Sequence, residues 1–140
     1  MKIFFDTIVY VAEALLGGAA EEMVAATERA SWRIYVSTYV ADELERVITE
    51  ELGFSLRLAA LSRRRILRRA GIVEPGASRH DVLDDAKDTP ILRAALEAGA
   101  DYLVTNDRHL LDLNPYEGLR IVSMTEYHRI LVAEGLIPPV

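Results

Sequence analysis

Two short apolar runs, each ending on a carboxylate-bearing turn, constrain this chain more than any other feature. Tyr102-Leu103-Val104 passes into the polar turn Thr105-Asn106-Asp107, and Leu110-Leu111 then open a helical pattern. About a hundred residues earlier, Ile3-Phe4-Phe5 passes into Asp6-Thr7 and a second helical pattern. A strand followed by such a turn and a helix places the turn's carboxylate at the carboxyl edge of a sheet, where open α/β sheets bind ligands. The chain therefore predicts an acidic site shared by residues far apart in sequence.

The rest of the sequence repeats the alternation. Lys2 to Phe5 and Arg33 to Val36 read as strands, and Ile8–Leu16 and 19–30 as helices separated by Gly17-Gly18. Ser37 or Thr38 caps a helix reaching about Leu52, with Val40, Leu44, Val47 and Ile48 inward and Gly53 as its stop. Ser55 caps another from Leu56 to Ala70, with Gly71 as C-terminal stop. Ile72 to Glu74 is a weak strand, and 77–87 is a polar loop. Asp88-Thr89-Pro90 opens a helix with the stripe Ile91, Leu92, Ala95 and Leu96, closed by Gly99. Strands at 101–104 and 119–122 follow, and Thr125 caps a last helix to about Glu134. Alternating strands and helices predict an α/β fold with a parallel sheet and helices on both faces.

With 140 residues, the chain is expected to form one domain spanning residues 1–140. It contains no cysteine, so a metal could be held only by oxygen or by the three histidines, which show no ligand spacing. No apolar run approaches the roughly 20 residues of a membrane span, and the start is too soon acidic for a signal peptide; a cytoplasmic location is expected by elimination. The net charge of −6 argues against a general nucleic-acid binder. The positive charge is uneven, however. Arg63, Arg64, Arg65, Arg68 and Arg69 cluster on one helix, either as a solvated face or as a track for RNA or an acidic partner.

Four carboxylates fall at the expected edge: Asp6, Glu43, Asp88 and Asp107. Two carboxylates ~5 Å apart repel by about 3 kcal/mol at an effective dielectric of 20. A hard oxygen-binding cation such as Mg²⁺ or Mn²⁺ removes that penalty. It can also activate water and stabilise a phosphoryl transition state, so phosphodiester hydrolysis suits the set best. Thr105 is either a turn former or a hydroxyl that orients water or phosphate. Asp85 is a further candidate, through water. Asp101 belongs at the opposite edge. Tyr10 and Tyr39 are the only candidates for stacking on a base.

These blocks resemble the successive motifs of PIN-domain proteins. The likeness rests on Asp6-Thr7, Ser37 with Glu43-Leu44-x-x-Val47, Asp88 with Ile91 and Ala95, and above all on 100–111, from Ala100-Asp101-Tyr102 to Leu110-Leu111. The chain departs from the pattern at Ile8, where members often carry Asn or Ser. The resemblance implies a three-layer fold with strand order 3-2-1-4-5 and a Mg²⁺- or Mn²⁺-dependent ribonuclease. Asp6, Glu43, Asp88 and Asp107 would be metal ligands, with Thr105 as the site hydroxyl. Many such proteins are toxins of VapC type with an antitoxin partner, and many are homodimers; RNA would be the substrate. The alternative is a non-catalytic PIN-like module that binds RNA or protein. A phosphohydrolase acting on phospho-aspartate ranks low, because its usual second Asp two residues after the first is absent.

Overall fold

Strand β1 (Lys2–Phe5) is apolar on both sides, and Ile3, Phe4 and Phe5 are fully buried. Only a central strand of a sheet covered on both faces has that pattern. In the computed structural model, which describes residues 1–74 and 88–139 and only the backbone at 88 and 89, β1 lies between β2 (Arg33–Ser37) and β4 (Tyr102–Val104). β3 (Gly71–Val73) and β5 (Arg120–Val122) flank them, giving an all-parallel sheet in the order β3-β2-β1-β4-β5. The register pairs Ile3 with Ile34 on one side and with Tyr102 on the other.

The helices are α1 (Thr7–Leu16), α2 (Gly18–Arg29), α3 (Thr38–Arg46), α4 (Leu56–Arg69), α5 (Asp88–Glu97), α6 (Arg108–Leu111) and α7 (Met124–Ala133). The chain moves outward from β1 to β3, then returns across the sheet to β4. Right-handed connections therefore put α1 and α2 on one face and α5 on the other. β1 and β4 flank the point where the strand order reverses, and such a switch point leaves a crevice at the carboxyl ends of its two strands. The opposite, amino edge is closed by Asp101. Its Oδ2 accepts from Lys2 N at 2.7 Å, and its N–H donates to Lys2 O at 2.7 Å. Asp101 thus lies away from the crevice, as expected.

Three local expectations are corrected. The helix after β2 does not run uniformly to Leu52: α3 ends at Arg46 and continues as a π-helical turn, Val47–Glu51, with Leu52 N donating to Val47 O. Gly71 is no helix stop but the first residue of β3. A Cβ there would lie 2.8 Å from the Tyr35 ring, its register partner, so closeness to the ring excludes a side chain. Ser123, not Thr125, caps α7, accepting from Glu126 N at 3.1 Å. The loop expected over 77–87 lies outside the described residues.

Candidate active site

Asp6 follows β1 directly, and its N–H extends the sheet ladder to Val104 O at 2.9 Å. Its carboxylate is shared between two tasks. Oδ1 accepts from Thr7 N at 2.6 Å and caps α1. Oδ2 accepts from the Thr105 hydroxyl at 2.6 Å. The same Thr105 oxygen accepts from Asp107 N at 3.0 Å, while Asp107 Oδ1 accepts from His109 N at 2.8 Å and caps α6. One buried hydroxyl therefore locks the turn after β4 onto the carboxylate after β1. Thr105 is fully buried, so it positions Asp6 rather than meeting a substrate.

Burial pushes the Asp6 carboxyl above the ordinary range. The hydrogen bonds from Thr105 and Thr7 pull it down, and the negative charges of Glu43 and Asp107 push it up further. Glu43 is half-buried on α3, with Oε2 3.4 Å from the Tyr39 hydroxyl. Asp6, Glu43 and Asp107 line one cleft of about 420 Å³, together with Thr7, Ile8, Val11, Arg46, Val47, Glu51, Ile91 and Asn106. The sequence of the family described as PIN domain matches residues 2–109.

The chain belongs to the PIN-domain family.

No curated protein matches it. A solved structure similar to this PIN chain is "Crystal structure of VapBC2 from Rickettsia felis bound to a DNA fragment from their promoter". The two share 16% identity over 88% of this chain and 98% of that chain, with a TM-score of 0.66. At that identity the likeness is one of fold, and it agrees with the strand order above.

Three of the four acids expected in the PIN site thus share one cleft. The fourth, Asp88, opens α5, whose Ile91 lines the same cleft, but the Asp88 side chain and all of Asp84 and Asp85 lie outside the described residues. Among the described residues no three Asp, Glu or His side chains gather closely enough to hold a metal ion. The donor type nevertheless fits a hard cation, because every candidate ligand is a carboxylate oxygen. The Thr7 hydroxyl, also on the cleft wall, is buried with no hydrogen-bond partner among the described residues.

Other expectations resolve differently. Tyr10 is only 2% exposed and cannot stack on a base; Tyr39 is half-buried beside Glu43. The arginine cluster is divided. Arg69 forms a two-pronged pair with Glu13 at 2.6 and 2.7 Å, Arg65 approaches Glu13 at 3.6 Å, and Arg63 pairs with Asp42. Arg64 and Arg68 remain exposed. The sequence reading missed Arg46 and Glu51 in the cleft. Arg46 stands three residues after Glu43, a helical spacing that could have flagged it. Glu51 faces Arg46 only because of the π-helical turn, for which the sequence carries no signal.

Proposed function

We propose that this PIN-domain protein is a Mg²⁺- or Mn²⁺-dependent endoribonuclease acting in the cytoplasm, and the toxin of a toxin–antitoxin pair. The observation that carries the reading is Asp6: a carboxylate buried at the switch point of the sheet, in a cleft that also holds Glu43 and Asp107. Family membership supports a nuclease. Asp6, Glu43, Asp107 and Asp88 would hold the ion, which supplies Lewis-acid stabilisation of phosphate charge and an acidified water. Thr105 fixes Asp6 against the β4 turn, so the carboxylate needs no reordering when the cation arrives. Cleavage by water would leave a 5′-phosphate and a 3′-hydroxyl. The similarity to VapBC2 bound to promoter DNA supports an antitoxin partner, and homodimerisation goes with that reading.

A second reading is a non-catalytic module that binds RNA or protein. Cleavage of a mixed RNA pool with and without Mn²⁺ separates the two. The nuclease reading expects Mn²⁺-dependent cuts that disappear in Asp6→Asn. Equal cutting by parent and Asp6→Asn overturns the assignment of Asp6; binding without any turnover establishes the module.

A further inference from the structure

Resting on the ribonuclease reading, we infer that Arg46 is the residue of the cleft that binds the RNA backbone, held ready by Glu51 until a phosphate replaces it. The described walls of the cleft carry four carboxyl groups, Asp6, Glu43, Glu51 and Asp107, and Arg46 is the one basic side chain among them. A polyanion entering this cleft meets net negative charge and needs a fixed cation to turn towards. Among the described lining residues, Arg46 offers one.

The local fold explains why Arg46 is available. In an α-helix, residues five apart point in different directions. The π-helical turn closes an i to i+5 ring, from Leu52 N to Val47 O, and so widens the helix by one residue. Arg46 and Glu51 thereby face each other, with Nη1 at 2.9 Å from Oε1. The two side chains are 40% and 51% exposed, so solvent screens the pair and it adds little to stability. The guanidinium is held in the cleft wall by a bond that costs little to exchange. A phosphate offers two or three acceptor oxygens in the fork geometry that arginine matches. Its negative charge also repels the Glu51 carboxylate, which can swing into water. Glu43, one turn before Arg46 on α3, ties this cation to the candidate metal ligands through a rigid helix.

The test measures fluorescence anisotropy of a short labelled single-stranded RNA in EDTA over a range of salt, and cleavage of the same RNA in Mn²⁺. Arg46→Gln is expected to weaken binding about fivefold to tenfold and to reduce the salt slope by about 0.7, the loss of one single-strand phosphate contact. Arg46→Lys should restore the slope, because it keeps the charge. Glu51→Gln should tighten binding, because the competing carboxylate is gone. A merely structural role for Arg46 would move the unfolding midpoint and leave the slope intact. Parent-like affinity and slope in Arg46→Gln, or weaker binding in Glu51→Gln, overturns the inference while cleavage by the parent upholds the ribonuclease reading. A parent that neither binds nor cuts RNA overturns both.

Discussion

Thr105→Val tests the central joint of the site. Valine matches the shape of threonine and removes only the hydroxyl, which is fully buried and bonded on both sides. The loss of a hydrogen bond to an ionised Asp6 costs about 1.5–3 kcal/mol, and leaving Asp107 N–H without its acceptor costs about 1 kcal/mol. An extra buried methyl group returns about 0.8 kcal/mol. The net loss is about 2–3 kcal/mol where Asp6 is ionised. Its pH dependence has a definite sign. The folded pKa of Asp6 is already raised by burial, so its contribution to stability is full at low pH and declines as the pH rises through that value. Thr105 opposes the rise, so the valine variant has a higher folded pKa still. The gap between parent and variant is therefore small in acid. It opens as the pH rises through the parent's value and is complete above the variant's. Urea unfolding followed by the fluorescence of Trp32, the single tryptophan, reads this directly. At a slope of about 2 kcal/mol per molar urea, the midpoint should fall by about 1 M at mildly alkaline pH. An unchanged midpoint, or an equal loss in acid and alkali, refutes the account of Thr105 as the holder of the Asp6 anion.

Two further predictions concern the frame around the cleft. Arg69→Met removes the two-pronged partner of the Glu13 carboxylate, whose side chain is 4% exposed, and leaves it only Arg65 at 3.6 Å; it should destabilise by about 2–4 kcal/mol, and the double variant with Glu13→Gln should recover most of that in the same urea assay, since no charge is then left buried. Gly71→Ala drives a Cβ to 2.8 Å from the Tyr35 ring and should cost about 1–3 kcal/mol, seen as a lower midpoint in thermal unfolding.

The sheet was legible because each strand is a short apolar run with its own turn residue, and the order followed from the family resemblance. The positions of Asp6 and Asp107 followed from the same logic, since a polar residue after a parallel strand has only the carboxyl edge to occupy. The chemistry of Thr105 was not legible. Whether a turn hydroxyl faces solvent or a carboxylate a hundred residues away depends on which strands are neighbours. The arginine cluster misled for a related reason. Arg69 looked like part of an exposed basic face, but its partner Glu13 lies on a distant helix and draws it inward. The π-helical turn left no trace in residue type, and Glu51 stayed hidden with it. Gly71 was read by the common rule that glycine ends helices, while the cause is an aromatic ring on the adjacent strand.

The pairing of Ile3 with Tyr102 carries a consequence for synthesis. A ribosome delivers β1 first and β4 last among the strands that build the cleft, and such distant partners are slow to meet. Until Thr105 emerges, Asp6 has no hydroxyl to hold it and no Asp107 beside it. A nascent or prematurely released chain carries an incomplete centre, and the finished geometry arises only when the second half of the polypeptide has threaded alongside the first.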